Sequence, residues 1–347
     1  MYQPIQTLPQ GPLDIIGDIH GEFDALQKLL VRLGYDEHGN HPQQRKLVFV
    51  GDLCDRGPDS PAVLYWFRQA YEAGNAFMVL GNHELNLLVE DPKDGSGWYF
   101  PQRAAKESHL YAPWQTMPNH EKPALINWLA DMPLILQRSD IRIIHAAWLP
   151  ESIRQIQTGI AGRGLISAYR QWDADLKQSL QTAEWYADYE HQQADSTLLD
   201  NPDHMPPIQQ ALAEFEYRRS RLHPVRALTS GVEVFVDTPF YAGARWRFTT
   251  RFAWWDEYTD DIPVVIGHYW RSWQPKHSGL LPEPPNSWFG AKRNVFCIDY
   301  SVGARWRDRR ATPPVSPEQS GFRLAALRWP ENLLMFDNGE TAATVST

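Results

Sequence analysis

The sequence predicts an α/β protein, and three observations carry that expectation. Short apolar runs of strand length alternate with stretches of helical periodicity through the first half. Several of those runs stop at a Gly followed by Asp, Asn or His. With 347 residues and 43% hydrophobic side chains, the chain can bury a substantial core.

Leu13-Asp14-Ile15-Ile16 reads as a buried strand closed by Gly17-Asp18, and Glu22 to Leu33 places Phe23, Leu26, Leu29, Leu30 and Leu33 at helical spacing. Leu47-Val48-Phe49-Val50 is a second strand, again followed by Gly-Asp. Ser60 then opens a helix with Pro61 in its first turn, carrying Val63, Leu64, Trp66 and Phe67. Phe77 to Leu80 is a third strand ending at Gly81-Asn82. A helix near Lys122 to Leu129 precedes a fourth strand, Ile141 to Ile144, which stops at His145. From about Ser152 to Arg221 the chain turns polar, Gln-rich and helical, which reads as an insertion capping a site. Strands return at Val264 to Ile266, Val295 to Ile298, Phe322 to Leu327 and Leu333 to Phe336. The segments Pro282 to Pro285 and Ala311 to Pro317 read as surface loops, and the tail after Gly339 as small, polar and frayed.

Composition narrows the function classes. A formal net charge of -9 argues against broad attraction to nucleic acid or anionic membrane, so no stable nucleic-acid complex is expected. No apolar run reaches the ~18 residues of a membrane span, and Met1 to Gly11 lacks a signal-peptide core. Cys54 and Cys297, far apart and each in an apolar segment, suit packing in a reducing cytoplasm better than a disulfide. Fifteen tryptophans are many, and Trp246, Trp254, Trp255, Trp270, Trp273 and Trp288 gather in the second half. They fit either a packed aromatic lobe or a stacking surface for a base.

The chemistry concentrates where strands end. Asp18 and His20 follow the first strand, Asp52 the second, Asn82 and His83 the third, His145 the fourth and His268 a later one. Ligands of open α/β sheets bind beyond the carboxyl ends of the strands, so these scattered residues can converge. Their number and mixed oxygen and nitrogen character exceed what one tetrahedral zinc needs. They suit two divalent ions, manganese, iron or zinc, with one carboxylate shared. His109, His120, His191, His204 and His277 lack supporting spacing and read as ordinary polar residues.

Asp18-Ile19-His20-Gly21, Gly51-Asp52-Leu53-Cys54-Asp55-Arg56-Gly57 and Gly81-Asn82-His83-Glu84 resemble the three signature blocks of the phosphoprotein phosphatase-like (calcineurin-like) metallophosphoesterases. Ile144-His145-Ala146 and Gly267-His268 resemble the family's two later histidine blocks. The resemblance spans about Asp14 to Tyr300. It implies a four-layer α/β/β/α sandwich over residues 1–347, with residues 150–225 as a helical cap insertion. It also implies two divalent ions, manganese being the first choice in vitro. Asp18 and His20 would bind one, Asp52 would bridge, and Asn82, His145 and His268 would complete the second site. In this family a metal-bridging hydroxide attacks phosphorus and the histidine after the metal-binding Asn protonates the leaving oxygen. Here that histidine is His83, oriented by Asp55, with Arg56 on the substrate phosphate. A second phosphate-binding arginine is expected before the last histidine, with Arg245 and Arg247 as candidates and Arg251 next. Glu84 would cap a helix or support a ligand.

Within the family, Leu80 stands where eukaryotic protein phosphatases usually carry Arg. The run Val79 to Leu88 looks more like the bacterial branch, which includes diadenosine tetraphosphate hydrolases and the phosphatase module of polynucleotide kinase-phosphatase. There is no Gly-Lys-Ser/Thr phosphate loop, so no linked kinase is expected. Two departures fall near the substrate. His145-Ala146-Ala147 replaces the hydrolases' usual His-Ala-Gly, and Asp299-Tyr300-Ser301 replaces Asp-Thr-Gly. The leading expectation is therefore a cytoplasmic phosphomonoesterase acting on phosphoproteins or small phosphorylated molecules. A symmetrical dinucleoside polyphosphate hydrolase comes second, and a nucleotide or cyclic phosphodiesterase third. A binding module without activity is the reading from another class, and the intact ligand set argues against it. Tryptophans facing the metals would favour a stacked base; buried ones would not.

Overall fold

The computed structural model describes residues 2–194, 199–242, 245–274 and 279–346. In the larger of two main sheets, β2 (Leu13–Ile16), β3 (Lys46–Phe49) and β4 (Ala76–Met78) lie parallel side by side. On the other edge of β2 the antiparallel strands β12 (Ala325–Trp329), β13 (Leu333–Phe336) and β14 (Thr341–Ala343) complete six. The second sheet orders β1 (Ile5–Thr7), β5 (Ile135–Arg138), β6 (Ile141–Ile144), β9 (Val264–Ile266) and β11 (Val295–Cys297).

Alternation along the strands sorts the side chains into layers. Leu13, Ile15, Val48, Leu327, Leu334 and Phe336 share one buried cluster with Leu136, Ile141, Ile143, Val265 and Phe296 of the second sheet. The two sheets therefore pack face to face. The opposite face of the first sheet, with Leu47 and Phe49, lies under Leu26 and Leu29 of α1 (Phe23–Leu33) and Val63 and Phe67 of α2 (Ser60–Glu72). On the far side Ile144, Val264 and Ile266 join Ile153, Val225 and Leu228 from helices Pro150–Gly159 and Pro224–Ser230. These are the four layers, α/β/β/α, that the family resemblance implies.

Both helices over the first sheet are punctuated by their own sequence. Asp59 caps α2 by accepting the Ala62 N–H at 2.9 Å, with proline in the first turn. Gly34 closes α1 at φ 93°, a left-handed turn that returns its N–H to the Leu30 and Val31 carbonyls.

The stretch read as a helical insertion does hold helices, at Pro150–Gly159, Leu165–Gln181, Tyr186–Ala194 and Gln210–Leu222. A hairpin that the sequence reading did not anticipate continues it, β7 (Glu233–Ala242) with β8 (Arg245–Arg251). Trp246 and Phe248 of β8 share a small core with Tyr189, Ala211 and Leu212, so hairpin and helices pack as one lobe. The expectation of a frayed tail is corrected. Thr341–Ala343 extends the larger sheet as β14, and β15 (Val345–Ser346) pairs with β10 (Ser287–Trp288). No helix among the described residues is long and apolar enough to cross a membrane.

A buried carboxylate fastens the central strand. Asp14 is fully buried and accepts from Arg45 Nε and Arg328 Nε at 3.0 Å each and from the Tyr35 hydroxyl at 2.8 Å. Arg45 is itself buried, and it also reaches the Leu13 carbonyl at 2.7 Å. Removing the carboxylate leaves the Arg328 guanidinium without its counter-charge and leaves Arg45 with Glu331 alone, at 2.7 Å. Asp14→Ala is therefore expected to lower the unfolding free energy by about 3–5 kcal/mol, read from urea denaturation. A loss within experimental error would show that Arg45 and Arg328 find other partners.

Candidate metal centre and active site

The loops after β2, β3, β4, β6 and β9 bring the predicted residues together. The ligand atoms of His20, Asp52 and His83 lie within 4.8 Å of one another, and so do those of Asp52, His145 and His268. Asp52 belongs to both groups, with Oδ2 3.7 Å from His20 Nε2, 3.9 Å from His83 Nε2 and 3.4 Å from His145 Nε2. Asn82 Oδ1 sits 3.2 Å from His145 Nε2 and 2.9 Å from His268 Nδ1. Asp18 enters through its backbone connection: Oδ2 accepts the His268 N–H at 3.0 Å, while Oδ1 is buried with no hydrogen-bond partner among the described residues.

The surroundings orient these groups as metal ligands are oriented. Nδ1 of His20 donates to the Cys54 carbonyl at 3.0 Å, and Nδ1 of His145 to the Val50 carbonyl at 2.7 Å. Each bond leaves Nε2 pointing its lone pair into the cluster. The Glu84 carboxylate accepts the N–H groups of Asp52, Leu53 and Gly81 at 2.8–3.0 Å, fixing the Asp52 loop against the Asn82 loop. Glu84 thus does both things expected of it. Gly267 allows a close approach, since a Cβ there would stand 2.0 Å from Asp18 Oδ1. An acceptor buried without a donor, beside imidazole lone pairs and an amide oxygen, is an environment that divalent cations fit.

The backbone is strained at the same place. His20, Asp52, Asp55, Arg56, His268 and Trp270 all have φ between 49° and 77°, a region non-glycine residues seldom occupy. Such strain clusters at sites whose side-chain directions are over-determined by function.

Electrostatics follow from crowding. Burial, with Asp299 as a second cause, pushes the Asp18 carboxyl well above the usual range. Burial would raise Asp52 too, but His145, then His83 and His20, outweigh it and hold Asp52 well below. Burial lowers His145, yet Asp52 reverses this and lifts it to about 10. His20 and His268 are depressed well below their ordinary value by burial, with Arg56 beside the first and Arg251 beside the second.

His83 is held differently from its neighbours. Its Nδ1 donates to Asp55 Oδ2 at 2.6 Å, and Trp98 Nε1 donates to Asp55 Oδ1 at 2.5 Å. Asp55 is fully buried, so this carboxylate has little option but to serve the imidazole. Trp98 carried no signal in the sequence: nothing in Ser96-Gly97-Trp98 marks it as a partner of Asp55 43 residues away. Asp299 was also missed as a support. It accepts the N–H groups of Trp270 and Ser301 at 2.8 Å each.

The arginines separate. Arg56 and Arg251 line a pocket of about 380 Å³ with Asp52, Asn82, His83, His268 and Trp270. Arg247 lines the adjoining cleft instead. Arg245 is elsewhere, in a small recess between β8 and the helix Gln210–Leu222. Side chains alternate across a strand, so Arg245, Arg247 and Arg251 share a face but differ in distance along it. Arg56 lies 4.9 Å from the Trp270 ring centre and donates to His20 Nε2 at 2.9 Å. Trp246, Trp254, Trp255 and Trp288 are buried in packing, and Trp270 is the member of that second-half group lining the pocket. His109, His120, His191 and His204 lie outside both groups of ligand atoms; His277 falls outside the described residues.

Residues 11–231 match the family model for calcineurin-like phosphoesterases. The chain belongs to the calcineurin-like phosphoesterase family. Among relatives, a symmetrical bis(5'-nucleosyl)-tetraphosphatase of Serratia proteamaculans is 34% identical over 139 residues, 40% of this chain and 43% of that protein. The asymmetrical bis(5'-nucleosyl)-tetraphosphatase PrpE of Oceanobacillus iheyensis is 45% identical over 153 residues, 41% of this chain and 58% of that protein. The chain thus spans about half the length of the curated relatives it matches. A crystal structure of a cold-active protein-tyrosine phosphatase from a psychrophilic Shewanella species aligns over 99% of this chain and 83% of its own. Its TM-score is 0.50 at 16% identity, a likeness of fold.

The contact between Gly267 and Asp18 offers a direct test of the metal centre. Gly267→Ala should push the Asp18 carboxylate aside and weaken manganese binding by about 10–100-fold in a calorimetric titration. Unchanged affinity would mean that Asp18 is not a ligand or moves without cost.

Proposed function

We propose that this chain is a two-metal hydrolase that cleaves a phosphate ester or phosphoanhydride in a substrate carrying several phosphates, a dinucleoside polyphosphate being the best match. The observation that carries this reading is the cleft beside the ligand cluster. It measures about 510 Å³ and opens on Asn82 and His83, and Arg56, Lys93, Arg219, Arg226, Arg247 and Arg251 line it against Asp94, Glu216 and Glu233. Two guanidiniums suffice to hold one phosphate; these six cations, five of which hold carboxylates at 2.8–3.6 Å that phosphates would replace, suit a chain of them. Tetraphosphatases among the relatives support the same choice, and the matching of both symmetrical and asymmetrical kinds leaves the cleavage position to experiment.

In this reading Asp18 and His20 would hold one divalent ion and Asn82, His145 and His268 a second, with Asp52 shared between them. Bound there, the ions would polarise a phosphoryl oxygen and lower the pKa of water. The remaining work falls to side chains. Arg56 and Arg251 orient the phosphate under attack through charge-assisted hydrogen bonds. Hydrolysis adds water across a P–O bond, so the departing oxygen needs a proton, and His83 Nε2 is placed to supply it. Asp55 fixes the ring and balances the imidazolium form, while Trp98 fixes Asp55.

Phosphomonoester hydrolysis is the second reading. The 380 Å³ pocket, with Arg56 and Arg251 alone, is adequate for a single phosphate.

Manganese-dependent turnover of diadenosine tetraphosphate, p-nitrophenyl phosphate and a phosphopeptide on metal-stripped, reloaded protein separates the two. The dinucleotide should be cleaved with the highest kcat/KM; cleavage of the monoesters alone would overturn the first reading. His83→Asn should reduce kcat by roughly 10²–10⁴-fold with metal content retained. Asp52→Asn should lose metal as well as turnover. Full activity in His83→Asn would remove its role as proton donor.

A further inference from the structure

The capping lobe contains a second cavity that the metal chemistry does not use. It measures about 320 Å³ and lies between the helices Leu165–Gln181, Tyr186–Ala194 and Gln210–Leu222. Leu176, Tyr186, Tyr189 and Phe215 supply its apolar wall. Tyr189 and Phe215 stack at 4.0 Å with only 10° between their planes, and both belong to the lobe's own small core.

Two residues belong to both cavities. Arg219 and Arg226 line this pocket and also the cationic cleft that runs to Asn82, His83 and Arg56. Arg226 bonds Asp173 through Nη2 at 3.1 Å and keeps a buried Nε with no partner among the described residues. A guanidinium pair thus marks the junction between an aromatic pocket and a groove suited to phosphates.

We propose that the cap pocket binds the nucleobase of a nucleoside polyphosphate whose phosphates pass Arg219 and Arg226 on the way to the ligand cluster. The chemistry selects this class over others. The occupant must carry negative charge at the end facing the arginines and a flat apolar body at the other. Glu190 and Gln193, which also line the pocket, offer acceptors and a donor for the hydrogen-bonding rim of a base. The volume falls at the small-molecule end of ligand sites, ~300–1,000 Å³, and is too small for a folded partner. This assignment rests on the polyphosphate reading above, but it makes its own demand: affinity must depend on the base and not on phosphate alone.

Calorimetric binding of a methylene-bridged, non-hydrolysable adenosine polyphosphate is compared with that of inorganic tripolyphosphate on the manganese-loaded full chain. The nucleotide should bind at least about tenfold more tightly, the scale of one stacked base. Gln193→Trp, at an exposed position, narrows the pocket, and Tyr186→Ala removes part of its wall. Each should reduce the ratio of nucleotide to tripolyphosphate affinity toward one. Equal affinity in the unaltered protein, or a ratio that neither substitution moves, would overturn the assignment. Hydrolysis of diadenosine tetraphosphate with no such ratio would leave the polyphosphate reading standing and remove the base site. Failure to bind either ligand would remove both.

Discussion

The structure is organised around burying four carboxylates, Asp18, Asp52, Glu84 and Asp299, at the ends of strands and the turns that follow them. Like charges brought together out of water repel, and burial raises Asp18, Glu84 and Asp299 above their ordinary range. Such a cluster persists only where something compensates it. Glu84 and Asp299 are satisfied by backbone N–H groups. Asp52 is satisfied by histidines, and one oxygen of Asp18 by nothing among the described residues. The distinction separates carboxylates that build the site from carboxylates available to a cation. It also explains the left-handed backbone at His20, Asp52 and His268, whose side chains could not converge from ordinary loop geometry.

Much of this was legible in the sequence because ligand and strand are tied by chain continuity. A buried apolar run ending in Gly-Asp or Gly-Asn-His fixes both the strand and the direction in which the polar residue leaves it. Asp18, Asp52, Asn82, His145 and His268 were found that way, and the structure places them together. Partners that depend on packing between distant segments left no such mark. Trp98 reaches Asp55 because its loop folds over α2's entry, and Asp299 meets Trp270 across two strands of the smaller sheet's end. Arg251 ranked behind Arg245 and Arg247 because position along a strand is not visible until the strand is placed. The β7 strand of the hairpin hides in sequence for a related reason: Phe235, Phe240 and Tyr241 are exposed, so the alternation of Trp246 and Phe248 in β8 has no buried counterpart of theirs beside it.

The two halves of the chain divide the labour unequally. The four-layer frame carries the candidate metal ligands together with His83, Asp55 and Arg56. The lobe of helices and hairpin contributes Arg219, Arg247 and Arg251 to the cationic cleft, and the helix Pro224–Ser230 contributes Arg226.

The strand that delivers Asp18 is flanked by β3, from early in the chain, and by β12, with Ile16 opposite Ala326. A ribosome adding ~5–20 residues per second needs roughly 15–60 s to cover that separation. During that interval β2 has one neighbour and a bare edge, and Asp14 waits for Arg328. Assembly of the catalytic frame is accordingly a late event in synthesis, and the nascent chain depends on whatever shields that edge until its closing strand arrives.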